Sequence, residues 1–233
     1  YRMSKKKGSG IKKTQQVMEK RLMLDAAAIF SAVEGMPNAI LHLDAQDIDG
    51  DDNPADQPAE NGQPGTWQDK YSSPQNNSAT QGAGSGNLPK YDSDAFGPGR
   101  GGLWFDGNDE MTISNQSTIN ANGGWDEKSF AFTFRTSSDI SGFQVVYEQG
   151  GGIRGFQVSI KDGNLYVSGY NDTGNEWGAD RFKVMNHGAV QTNTTYNVIM
   201  IFDVNEGANG VIKSNVNGGN FISLQSIGAQ QNH

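Results

Sequence analysis

From Leu103 onward, apolar and polar positions alternate in short stretches. In Ser129–Arg135 the three rings Phe130, Phe132 and Phe134 fall at every second position, with Ala131, Thr133 and Arg135 between them. Successive side chains of a strand point to opposite faces, so this spacing predicts a half-buried strand with its rings on one side. Similar segments follow at 142–148, 155–160, 164–169, 181–185, 195–203 and 210–215. Between two of them stands Asp162-Gly163, a pair suited to the positive φ angles of a two-residue hairpin turn. Short strands with Gly-rich turns and no crossover helices predict an all-β fold, an antiparallel β-sandwich of the jelly-roll kind. No fixed repeat is present, which argues against a solenoid or propeller.

Upstream the period changes. Between Ile11 and Val33, Met18, Leu22, Ile29 and Val33 recur at helical spacing, and Gly35 and Pro37 follow as stop signals. Residues 1–38 are therefore expected to form a basic segment with an amphipathic helix or arm, and 39–233 the β-sandwich. Within the latter, 46–102 is rich in Asp, Asn, Gly, Pro, Ser and Gln and reads as one long polar loop with isolated anchors such as Trp67 and Tyr71. So long an irregular stretch is normally functional, pinned by a metal or disordered.

Charge and cysteine content narrow the function classes. The net charge of -8 is unevenly spread: residues 1–21 hold eight of the eighteen Lys and Arg against one acid. The remaining body is strongly acidic and repels phosphate backbones, which excludes nucleic acid as its expected partner. Cysteine is absent, so there are no disulfides or thiolate metal sites. No apolar run reaches the roughly 18 residues of a membrane span, and no apolar stretch of a signal peptide follows Lys5–Lys7. The chain opens on Tyr1 rather than Met, as a piece of a longer protein would.

Candidate chemistry sits in two loops. Asp47, Asp49, Asp51, Asn53 and Asp56 place hard oxygen ligands at alternating positions of a flexible segment, the donor set that calcium takes. The glycine is not at the sixth position of an EF-hand loop, and a solvated acidic loop is the competing reading. In the second loop, Tyr170, Asn171, Asp172, Trp177 and Asp180 combine two large rings with amide and carboxylate groups. Sugars stack on such rings and hydrogen-bond to such groups; the alternative is a turn whose Trp177 caps the core. Trp104 and Phe105 read as core strand residues. No catalytic residues emerge. The eight Glu are scattered without the Glu-x-Asp-x-Glu spacing of concanavalin-fold glycosidases, no Gly-x-Ser-x-Gly elbow occurs, and His42, His187 (in an Asn-His-Gly turn) and His233 form no metal triad.

Four blocks in order, Leu43-Asp44-Ala45, Trp67-Gln68-Asp69-Lys70, Asn77–Gln81 and Leu103–Asp109, resemble the opening of bacterial laminin-G-like, concanavalin A-like domains. Gly155–Ile160 followed by Asp162–Val167 resembles that family's central hairpin, and Thr195–Asp203 with Asn215–Gly219 its next two strands, so the likeness spans about residues 40–224. The family usually closes on a further strand with an Asp-Glu-Ile-like stretch. Nothing after Phe221 matches it, which leaves an expected open edge for another segment or subunit. Upstream, Glu19–Ala28 is similar, without its proline, to a short signature near the start of very large bacterial adhesins. The resemblance implies a secreted or bacterial cell-surface module without enzymatic activity, serving adhesion or self-assembly into a filament or layer. Its implied partners are neighbouring subunits. A lectin-like glycan-binding module is the alternative, and a concanavalin-fold glycan hydrolase a third reading.

Overall fold

The computed structural model describes residues 40–53, 55–71, 77–81, 87–114, 119, 127–151, 154–171, 182–203, 205–207 and 210–225. The helix expected within 11–33 lies outside them. Among the described residues the fold is all-β, with thirteen strands and no helix. Five are short: β1 (Thr66–Trp67), β2 (Ala79–Gln81), β3 (Lys90–Asp92), β4 (Gly102–Trp104) and β5 (Met111–Ile113). Eight longer ones follow: β6 (Glu127–Arg135), β7 (Phe143–Gly151), β8 (Arg154–Lys161), β9 (Asn164–Asn171), β10 (Phe182–Ala189), β11 (Thr195–Asp203), β12 (Val211–Val216) and β13 (Ile222–Gln225).

The longer strands form two four-stranded antiparallel sheets, ordered β10-β9-β8-β7 and β13-β12-β11-β6. Residues directly opposite one another across a ladder share a face. The registers therefore align Tyr147, Val158, Val167 and Met185 across the first sheet, and Phe130, Met200, Ser214 and Ile222 across the second. Side chains from both sheets meet in one apolar cluster that includes Phe156, Val158, Leu165, Val167, Met185, Val198, Met200, Phe202 and Ile212, with Phe130, Phe132 and Phe134 packed on it. Phe156 meets Phe202 edge-on at 5.6 Å, and Tyr147 lies 5.4 Å from Phe130 and 5.7 Å from Phe132. The alternation in 129–135 thus does put three rings on one side.

The chain turns from β8 to β9 through Asp162 (φ 49°) and Gly163 (φ 73°), the two left-handed positions of a type I′ turn. After β12, Asn217 (φ 53°) extends the pairing of β11: its N–H donates to the carbonyl of Asn197, and its Oδ1 accepts from the Asn197 N–H at 2.8 Å.

Several expectations change. The edge beyond β12 is not open: β13 pairs with it from Val211↔Gln225 to Ser214↔Ile222, because Ile222 and Leu224 supply the apolar alternation that buries one face. His187 lies within strand β10 rather than in a turn; the Asn-His-Gly signal marks a register shift between Asn186 and Ala189, with Gly188 at φ 85°. Trp104 and Phe105 are 47% and 43% exposed. Trp104 ends the two-stranded β3–β4 ribbon and Phe105 follows it; the covered side of the ribbon is formed by Tyr91 and Leu103, while Trp104 stands opposite Lys90 on the other side. The polar segment 46–102 holds β1 to β3 and the first residue of β4, and buries Ile48, Asn77, Ala79 and Tyr91.

Candidate functional site

The acidic loop starts with a tight turn in which the Asp47 N–H bonds to the Asp44 carbonyl, and Gly50 adopts a left-handed conformation at φ 73°. Alongside runs Trp67–Lys70, tied down by Gln68 N–H to the Ile48 carbonyl at 2.8 Å, Lys70 N–H to the His42 carbonyl at 2.9 Å and the Trp67 indole N–H to the Asp44 carbonyl at 2.9 Å. Asp69 completes the fastening: its Oδ1 accepts from the N–H groups of His42 and Tyr71.

This backbone arrangement delivers the Lys70 ammonium into the loop. Its Nζ lies 2.8 Å from Asp47, 2.8 Å from Asp52 and 3.7 Å from Asp44. Asp47 is buried and its two oxygens also accept the N–H groups of Asp51 and Asp52. Burial alone would raise the Asp47 pKa, but Lys70 and the Asp52 amide outweigh it and hold the carboxyl below its ordinary value. Burial works on Lys70 in the opposite sense, and its bonds to Asp47 and Asp52 raise it above the usual lysine range.

Of the five acidic-loop positions singled out by sequence, the structure gathers three. Carboxylate oxygens of Asp47, Asp49 and Asp51 lie within 4.8 Å of one another. Two oxygens on opposite sides of a calcium ion stand about 4.6–5.2 Å apart, so this spacing suits a hard divalent cation. Asp49 is raised above its ordinary pKa, first by desolvation and then by the nearby charges of Asp51 and Asp56. Among the described residues neither Asp49 nor Asp51 has a basic partner. Asn53 and Asp56 are bonded to each other at 2.9 Å, and Asn53 also caps the loop by accepting from Ala55 N–H. Sequence spacing found the acids but not Lys70, whose contact with them is made by a strand-like segment about twenty residues further on.

The second sequence-derived site is only partly described. Tyr170 and Asn171 end β9; Asp172, Trp177 and Asp180 lie outside the described residues.

A buried lysine escaped the sequence reading altogether. Lys128 stands two residues before Phe130 on β6, so it shares the inward parity, and its register row continues through Phe202, Ile212 and Leu224. Its Nζ donates to the Ile119 carbonyl at 2.9 Å and lies 5.4 Å from the centre of the Phe130 ring. Desolvation pulls its pKa down to about 7. Nearby, Gln149 is also buried; its amide donates to the same carbonyl at 3.4 Å and its Oε1 accepts from the Tyr147 hydroxyl at 3.2 Å. Burial raises the Tyr147 phenol above its ordinary value.

Comparison of the chain with models of known protein families, with curated proteins and with solved structures finds no match.

Proposed function

We propose that the chain is a non-catalytic module of a bacterial cell surface, a laminin-G-like or concanavalin A-like sandwich that works by adhesion or self-assembly. The observation that supports this reading is an apolar cluster shared by strands of two antiparallel sheets, together with large apolar side chains left in solvent. Phe143 and Val145, 60% and 48% exposed, project from β7, while the core residues of the neighbouring strand β8, Phe156, Val158 and Ile160, are at most 2% exposed. Apolar side chains gathered on the outside of a finished core mark a contact surface. The test is sedimentation and electron microscopy of the full chain against Phe143→Ser/Val145→Thr. Concentration-dependent oligomers or fibres that the double variant loses support the reading. A wild-type chain that stays monomeric at all concentrations and turns over a polysaccharide replaces it with the hydrolase reading; glycan-array binding by a monomer replaces it with the lectin-like one.

Within this reading, calcium is a structural ligand of the acidic loop. Asp49 and Asp51 supply its carboxylates, and Asp47 is shared between the ion and Lys70. With so few protein ligands the affinity belongs to the range of about 10⁻⁴–10⁻³ M found in extracellular modules. Calorimetric titration with calcium checks this: binding in that range that Asp49→Asn/Asp51→Asn abolishes is expected, and no heat from the wild type removes calcium from the proposal.

A further inference from the structure

Strand β10 is the edge of its sheet, and it lies against β12 and β13 of the other. A polar contact joins the layers there. The His187 Nε2 is 2.7 Å from the Ser214 hydroxyl, and that hydroxyl donates to the Met185 sulfur at 3.1 Å. Ser214 and Met185 are buried and His187 half-buried. We propose that His187 is an acid-sensitive latch between the two sheets: uptake of a proton by its ring loosens the β10 edge from β12 and β13.

With the hydroxyl hydrogen directed at the sulfur, Nε2 carries the ring proton and Nδ1 takes the next one. The bond to Ser214 survives this, and what loosens the edge is the cost of holding a charged ring half-buried between the layers. Among the described residues, the imidazolium so formed meets no carboxylate on the strands around it. On β9 the positions abreast are Asn164, Leu165 and Tyr166; Ser214, which the ring contacts, is flanked on β12 by Lys213 and Asn215 and pairs on β13 with Ile222, between Phe221 and Ser223. On its own strand the charged residue is Lys183; Lys213, the other cation, ion-pairs with Glu206. Tyr166 is the remaining titratable side chain among these positions. Burial accordingly holds the His187 pKa below 6.5.

The folded-state pKa is depressed, so the unfolded or detached strand takes up the proton first as the pH falls. Stability from the neutral ring is complete above the ordinary value and is lost on acidification down to the folded-state pKa. The register shift between Asn186 and Ala189 interrupts the ladder to β9 beside the latch, which weakens the hold on the β10 edge there. The inference rests on the contact of β10 with β12 and stands whether or not the chain is a surface module.

The experiment is hydrogen exchange of the full chain at about pH 7.5 and about pH 5, corrected for intrinsic rates, with a proton NMR titration of the His187 ring. Protection of 182–189 is expected to fall by up to about tenfold per pH unit within the window, while 195–203 keeps its protection. His187→Gln, neutral and able to bond Ser214, is expected to hold 182–189 equally at both pH values. An equal loss in His187→Gln, no loss in the wild type, or a ring midpoint at or above the ordinary histidine value overturns the latch. Should His187→Gln fail to fold, the wild-type titration decides by itself.

Discussion

Two lysines show how one residue type acquires opposite behaviour from its surroundings. Lys70 is met by carboxylates and held charged; Lys128, beside the Phe130 ring and the Ile119 carbonyl, is desolvated and gives up its proton readily. For Lys128 the folded-state pKa of about 7 lies below the ordinary 10.5, so the unfolded chain binds more protons between those values. Stability therefore rises with pH across that window, and the full cost of the buried charge is felt below it. Lys128→Met removes that cost. Urea unfolding is expected to show the variant more stable by about 1–3 kcal/mol near pH 6, with the gap closing towards pH 10. A gap that is the same at both ends would mean that packing, not charge, sets the difference. Lys70→Met has the opposite consequence, since it strands the buried Asp47 beside Asp44 and Asp52. A loss of about 2–4 kcal/mol is expected for the 40–71 region. Calcium should recover part of it, because the added cation takes the place of the missing ammonium. Thermal melts with and without calcium measure this, and melts that calcium leaves unchanged would separate the metal from the loop.

At the scale of strands and turns, the sequence was most readable where burial and period agree. Thr195–Asp203 alternates buried and half-buried along its whole length, and its predicted bounds match those of β11. The Asp162-Gly163 turn was readable for the same reason: both positions need a positive φ, and the residues present tolerate it. Gly163→Val places a β-branched side chain in that conformation, and a loss of about 1–2 kcal/mol is expected by denaturant titration. No loss would show that the turn relaxes to another type. Where the reading failed, a local signal had a second structural meaning. Asn186-His187-Gly188 carries turn residues, yet they serve a bulge inside a strand. Ile222–Gln225 is too short and too polar to be read as a strand by itself, and becomes one because β12 offers it a ladder. Trp104 has the composition of a core residue, but whether a ribbon is covered on one side or both is decided by tertiary packing. In the acidic loop the same limit applies: spacing disclosed the acids, while the lysine that neutralises them is brought in by contacts no period encodes.

At the scale of the whole molecule, the described chain divides by what holds it together. Strands β6 to β13 share the apolar cluster of the two large sheets, and Ile48, Ala79 and Tyr91 lie outside that cluster. The part before β6 relies instead on strands of two or three residues and on polar contacts: the Lys70 ion pairs, the Asp69 fastening and the Glu60 carboxylate accepting from the Ser93 N–H. A polar contact between the two parts is Arg135 Nη1 donating to the Ala95 carbonyl at 2.9 Å, on an exposed side chain. Exposed hydrogen bonds open at lower free energy than a buried aromatic core. Hydrogen exchange is therefore expected to run fastest through 40–113 and slowest in β8, β9 and β11. Phe156→Ala, which empties a place between the sheets, is expected to cost about 3–5 kcal/mol in the slow strands. The fast region should keep its own rates, apart from any exchange that needs global unfolding. If the two regions instead lost protection together, to the same extent, the chain would be one cooperative unit, and the polar segment would draw its stability from the aromatic core.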